Sequence, residues 1–320
     1  MRLLLNAHSE IAIPEEARFL MPLLRRDIVK KPLHGRQLEK TLEYLENNEQ
    51  YRNWNYDRTP VIERLSRKTE ITLRELIETL YSSFAESEGK SAWADKSLFF
   101  RRIGLLSALF PEAKFIHLVR DGRDVFHSWR KMDPTKNNVA AAALDWNYKL
   151  SRIERAFARL PESKRLTIRY EDLLETPEET TRAICDFIGI DFESEMMNYH
   201  HTSKYYIGGH HSSLIFKSID PNNRYKWRKN LSSLEIRIYE LICQQNLTKY
   251  GYDLSGMKFR LSDSIFLLGT LLTGVPKRAY QVLSRKISAG CALRHGEADN
   301  SADAGETPVA RKQREHQHDQ

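Results

Sequence analysis

Cysteine is scarce in this 320-residue chain, with three residues at positions 185, 243 and 291. They are far apart and form no CxxC pair. That argues against a disulfide framework and a cysteine-based zinc site, and it fits a reducing compartment. Long apolar runs are lacking too. The longest, "SIFLLGTLLTGV" over 264–275, falls short of the roughly 20 residues a spanning helix needs. No secretory signal is seen at the start. "LLL" at 3–5 is too short for a signal core, and Glu10, Glu15 and Glu16 follow closely. A cytoplasmic location is therefore expected, and the Asn-x-Ser/Thr matches at Asn230 and Asn246 read as chance. The chain also lacks a kinase-type phosphate loop. "GKS" at Gly89–Ser91 has Phe84 where the first glycine of GxxxxGKS belongs. His200, His201, His210 and His211 flank "YYIGG" without a ligand spacing such as HExxH, so no metal site is expected. No internal repeat is found.

What is present points to an anion. The formal net charge is +7, which favours an anionic partner: phosphate, sulfate, nucleic acid or a membrane surface. A hydrophobic fraction of 41% with 29% charged residues suits one sizeable domain, placed at 1–257. A basic, apolar helical extension follows at 258–296. The tail 297–320 has too little apolar content to form a core and is expected to be disordered. Within the extension the apolar run precedes Lys277, Arg278, Arg285 and Lys286. It reads as a docked helix, with peripheral contact of 258–290 on a membrane surface as the competing reading.

Along the chain, residues 3–5 look like the middle of a buried helix, and 33–60 are polar without clear periodicity. "TLRELIETLYSSFAESEG" is amphipathic, with Leu73, Leu76, Ile77, Leu80 and Phe84 on one face and Gly89 as the stop. A helix ends at Phe110 before Pro111. "KFIHLV" then reads as a buried parallel strand, "RDGRD" as a turn, and "VFHSWRKM" as the next helix. A long helix is expected over 138–160 and a second strand at "RLTIRY". In "TPEETTRAICDFIG", Thr176 is placed as N-cap, Glu179 as its capping-box partner and Gly189 as the stop. Strands alternating with helices predict an α/β fold with a parallel sheet flanked by helices. Ligands bind such sheets beyond the carboxyl ends of the strands, where "RDGRD" lies.

Arg120 ends the predicted strand, and Ser128 stands eight residues on, in the following helix. Arginine offers a planar fork to phosphate oxygens, and serine adds a hydroxyl donor. The competing reading is a solvated basic turn with two internal Asp–Arg pairs.

The stretch "FPEAKFIHLVRDGRDVFHS" resembles the nucleotide-binding segment of the sulfotransferase family, which takes 3′-phosphoadenosine 5′-phosphosulfate as sulfuryl donor. "RYEDLLETPEETTRAICDFIGI" resembles the family's next strand and helix, and "RYKWRKNLS" at 224–232 its late basic loop. "ADKS" at 94–97 resembles the segment that carries a lysine near the transferring group. The resemblance runs in order over about residues 1–255, and its closest motifs are those of the bacterial and tyrosylprotein branches. It implies a fold like that of the phosphate-loop NTPases. It also implies a 3′-phosphate site of Arg120, Ser128, Lys226 and Arg228, with Tyr170 near the nucleotide and Lys96 on the sulfuryl side. "PEEAR" resembles the tyrosylprotein branch's acidic motif, which implies Glu15 as base with Glu16 one position away. Ser212 or Ser213 of "HHSS" is implied as a further sulfuryl contact.

The implied partners are the anionic nucleotide donor and a hydroxyl acceptor, with neither metal nor nucleic acid. The implied reaction is sulfuryl transfer to a carbohydrate, lipid or tyrosine hydroxyl. "LLLNAHSEIAIPEEARFL" resembles the family segment directly after its phosphate loop, which places the start of the chain inside the helix that follows that loop. The first strand and that loop are therefore expected ahead of Met1, with an inactive, donor-binding relative as the alternative.

Overall fold

Strand and helix alternate as the sequence predicts, but the ladders are short. The computed structural model describes residues 1–133, 136–202, 217–274 and 276. Its strands are β1 (Ile11–Ala12), β2 (Leu33–His34), β3 (Glu70–Ile71), β4 (Ala92–Trp93), β5 (Phe115–Val119) and β6 (Arg165–Arg169). β1 pairs with β4 and β5 with β6, both parallel, while β2 and β3 form an antiparallel pair. No helix among the described residues is long and apolar enough to cross a membrane. The chain divides into two compact units. The amino unit is built on residues 2–98 with 198–218, and the carboxyl unit on 99–197 and 219–284.

In the amino unit the helix Leu73–Ser87 buries the predicted stripe of Leu73, Leu76, Ile77, Leu80 and Phe84. Its start is fixed by a capping box between Thr72 and Glu75. The stretch 33–60 corrects the sequence reading. It contains the helix Gly35–Asn47, and Thr59–Ser66 begins at its end. The signal was a sparse stripe, Leu38, Leu42 and Leu45 at i, i+4 and i+7, diluted by charged neighbours. Trp54 is 3% exposed and contacts the rings of Phe19, Tyr51, Tyr81 and Phe84 at centroid distances of 4.7–5.6 Å, so it is a core residue.

In the carboxyl unit β5 and β6 run in register from Phe115↔Arg165 to Val119↔Arg169. The helices Val139–Phe157 and Ser233–Lys249 pack together and bury Ala143, Trp146, Leu150, Tyr239 and Cys243. Gly122 opens the helix Gly122–Met132, where a Cβ would lie 2.3 Å from Tyr239 Oη and 2.7 Å from the Trp146 ring. Glycine is needed there for space. Gly189 ends the helix Pro177–Ile188 in the left-handed region at φ +85°, as predicted. The capping box at Thr176 does not form. Thr176 also closes the preceding helix Tyr170–Glu175, and its N–H and hydroxyl both bond the Asp172 carbonyl.

Residues 263–274 are helical. The start is anchored by Arg237, which donates to both Asp263 oxygens at 2.7 and 2.9 Å. Leu267 and Leu271 pack on the core, and Asn138 Nδ2 donates to the Thr270 carbonyl at 2.8 Å. One side of this helix is therefore docked. The tail 297–320 lies outside the described residues.

Candidate functional site

Each parallel strand pair ends at a cluster of sequence-predicted residues. In the carboxyl unit Arg120 follows β5 and Tyr170 follows β6. The register brings the two together, with the Arg120 guanidinium carbon 4.6 Å from the Tyr170 ring centre. Arg120 makes one long bond to the Asn223 carbonyl, at 3.3 Å, and lies 3.9 Å from Asp124. Its Nε is buried without a partner. A guanidinium stacked on one face with unmatched N–H donors is primed for an anion.

"RDGRD" splits into two roles. Arg123 is 1% exposed and fully engaged. It donates to both oxygens of Asp121, to Glu240 at 2.5 Å and to the Asp253 carbonyl, and it lies 3.7 Å over the Trp227 ring. Burial alone would lower its pKa, but the Asp121 and Glu240 carboxylates outweigh that and raise it. Glu171, beside Tyr170, accepts from the Asp121 N–H and from Tyr252, tying the two strand ends together. Of the two Asp–Arg pairs, Asp121–Arg123 is a buried lock, whereas Arg120–Asp124 leaves the arginine open.

Asp124 also holds the basic loop, because its Oδ1 accepts the Trp227 N–H at 2.8 Å. Lys226 and Arg228 flank Trp227 in that loop, Lys226 half-buried and Arg228 exposed. Tyr225 adopts φ +52°, a left-handed conformation uncommon for a ring-bearing residue. Ser128 is half-buried. Its neighbour His127 was not singled out by the sequence reading. It is 5% exposed, and neither ring nitrogen has a hydrogen-bond partner. Burial, then the charges of Lys131, Arg130, Lys226 and Arg120, push its pKa down to about 4. A neutral imidazole facing four cations marks a site of strong positive potential. The available signal was its place in "FHS", but a lone histidine beside a serine carries no spacing code.

In the amino unit the β1–β4 pair directs two segments alongside each other. Ser97 Oγ accepts the Ala17 N–H at 2.8 Å and donates to Asp95, which also accepts from Tyr81. This brings Lys96 to Glu16, at 2.5 Å. Glu15 pairs instead with Arg2, at 2.9 Å, and its carbonyl accepts from the Trp54 indole. The adjacent carboxylates are thereby differentiated. Burial raises the Glu15 pKa more than Arg2 lowers it. Burial also acts on Glu16, but Lys96 and Arg18 together outweigh it and hold Glu16 below the usual range. A base is most effective when its pKa is moved toward the working pH, which favours Glu15 over Glu16.

Lys90 of the "GKS" decoy donates to the carbonyls of Asn6 and Ile11, so it ties backbone segments together. Ser212, Ser213, His210, His211, Tyr205 and Tyr206 lie outside the described residues.

Comparison with known proteins gives a consistent result. The model of the sulfotransferase family matches residues 1–194. Protein-tyrosine sulfotransferase 2 of Gallus gallus is 32% identical over 102 residues, covering 29% of this chain and 27% of that protein. A putative protein-tyrosine sulfotransferase of Caenorhabditis elegans is 27% identical over 121 residues, covering 36% and 42%. The chain thus spans well under half the length of these curated relatives. Among solved structures, the sulfotransferase domain of the Synechococcus PCC 7002 olefin synthase aligns at a TM-score of 0.54 and 23% identity, over 79% of this chain and 90% of that one. The sulfotransferase domain of the curacin biosynthetic pathway aligns at 0.50 and 21%, over 79% and 93%. These structural likenesses bear on the fold, which is the predicted α/β one.

Proposed function

Because the chain belongs to the sulfotransferase family, we propose that it moves a sulfuryl group from 3′-phosphoadenosine 5′-phosphosulfate to a carbohydrate, lipid or tyrosine hydroxyl. The observation that carries this reading is Arg120, stacked on Tyr170 with a buried, unpartnered Nε. The surrounding residues fit a phosphate-bearing nucleotide. Arg120, Ser128, Lys226 and Arg228 hold the 3′-phosphate, Tyr170 borders the nucleotide, and His127, with both ring nitrogens unpartnered, offers a further donor. When bound, the donor supplies an activated sulfuryl group.

In the amino unit, Glu15 accepts the proton of the acceptor hydroxyl, and its burial makes that transfer more favourable. Lys96 offsets negative charge on the departing side. Glu16 holds the Lys96 ammonium in place. Ser212 or Ser213 provides a further sulfuryl contact.

Calorimetric titration with 3′-phosphoadenosine 5′-phosphate tests the anion site. The Arg120→Ala variant is expected to lose about 100-fold in affinity, as truncating a charged hydrogen-bonding partner does. Near-normal affinity in that variant overturns the site. Radiolabelled sulfuryl transfer to sugar, phenol and lipid acceptors tests the reaction. Nucleotide binding without transfer to any of them assigns the chain to the alternative, a donor-binding relative without catalysis.

A further inference from the structure

The helix 263–274 is apolar on both sides. Leu267 and Leu271 face the core, but Leu261 is 90% exposed, Ile265 82%, Leu272 67%, Leu268 58% and Phe266 46%. At 100° per residue, Ile265, Leu268 and Leu272 fall within roughly 60° of one another. Gly269 adjoins them, and no charged residue stands between Asp263 and Lys277. A helix of this composition belongs in a core or at an apolar boundary, and a docked surface helix normally turns charged residues outward. Leu254 and Met257, ahead of the helix in the chain, are also 38% and 43% exposed.

Between Leu254 and the helix start the exposed charges are cationic. Lys258 and Arg260 are exposed just ahead of it. The one acid at the helix start, Asp263, is consumed by Arg237. Beyond the helix, residues 277–296 carry five cations and no carboxylate. We propose that this outward face, with its basic flanks, docks the protein on a bilayer surface containing anionic lipid. An apolar strip inserted at the headgroup boundary and a cationic rim are the two signals that together hold a protein on a membrane.

Two other occupants fit less well. At about 100 Å² per side chain, the five residues offer about 500 Å², below the ~800 Å² each partner buries in a standard protein interface. A second copy would also bring a like-charged rim against this one. The segment 277–296 has the same sign as Lys258 and Arg260, so folding it back over the face would set cations against cations.

The test is flotation of the full chain with phosphatidylcholine vesicles, with and without phosphatidylglycerol. Wild type is expected to float with the anionic vesicles and to be released by high salt. The Ile265→Glu/Leu272→Glu double variant is expected to bind about tenfold more weakly or worse, because two inserted side chains become charged. Both positions are exposed, so the double variant should retain wild-type affinity for 3′-phosphoadenosine 5′-phosphate, which controls for folding. A Leu272→Trp variant should shift its emission to the blue only when anionic vesicles are added. Failure of wild type to float, or equal flotation of the double variant, overturns the proposal. So does a dimer seen by light scattering that the double variant dissociates, because the face would then belong to a second copy.

Discussion

β5 and β6 run side by side for five residues, whereas β1 and β4 meet for only two. The longer ladder fixes its strand ends through the backbone. Its exit residues then rest on a buried charge lattice of Asp121, Arg123, Glu171 and Glu240. The shorter ladder leaves the alignment of "PEEAR" with "ADKS" to side chains, chiefly Ser97, Asp95 and Tyr81. The proposed nucleotide site and a buried lattice thus share residues of one turn in the carboxyl unit. In the amino unit Glu15 and Lys96 lie beyond the short ladder, Glu15 half-buried and Lys96 exposed.

The sharpest way to break that comparison is at the carboxylates. Glu15→Gln is expected to lower sulfuryl transfer by roughly 10²–10⁴-fold with little change in thermal midpoint, since Gln still accepts from Arg2. Glu16→Gln should cost less. If it proves the worse variant, the base lies one residue later than assigned.

Arg123→Ala should instead destabilise the fold by about 3–5 kcal/mol, because it leaves Asp121 and Glu240 buried without their cation. Urea denaturation measures this, and nucleotide affinity should fall with it. An Arg123→Ala protein of near wild-type stability would show that the lattice does not support the longer ladder's exit.

Gly122→Ala is smaller, about 1–3 kcal/mol. Its methyl must displace Tyr239 or Trp146, and calorimetric unfolding reads the loss directly.

A further test concerns pH. His127 titrates near 4 in the folded protein and near 6.5 when unfolded. The unfolded chain therefore binds the extra proton first, and this residue's contribution to stability is lost as pH falls from about 6.5 to 4. Thermal midpoints across that window should decline more steeply for wild type than for His127→Gln. Parallel curves would place His127 outside the cationic cluster.

Much of this arrangement was legible in the chain. The continuous run "FIHLV" and the helix signals of 72–89 rest on local pattern, and both elements appear where expected. What the sequence did not show was that Arg123 would be locked away while Arg120 stays open. They are identical residues three positions apart, and only the distant Glu240 and Asp253 decide which one is consumed. The same holds for Glu15 and Glu16, whose protonation differs because Arg2 reaches one and Lys96 the other. Trp54 stands in a polar stretch with no clear periodicity to place it in the core, and of the four rings that enclose it Phe19, Tyr81 and Phe84 come from distant segments. Thr176 stands at the N-cap position as expected, but its capping box with Glu179 does not form, because two helices share that residue. His127 had no pattern at all, since its character comes from cations on other turns and on the basic loop.

The pairing of Val119 with Arg169 also carries a consequence for timing. Arg120 and Tyr170 are fifty residues apart in the chain, and parallel ladders closed over such distances form slowly. On a ribosome the Arg120–Tyr170 stack cannot assemble before Tyr170 has emerged, and Arg123 stays unlocked until Glu240 follows. Until then the "RDGRD" turn carries charges without their partners, and nascent chains halted between those two points are the ones a chaperone would have reason to hold.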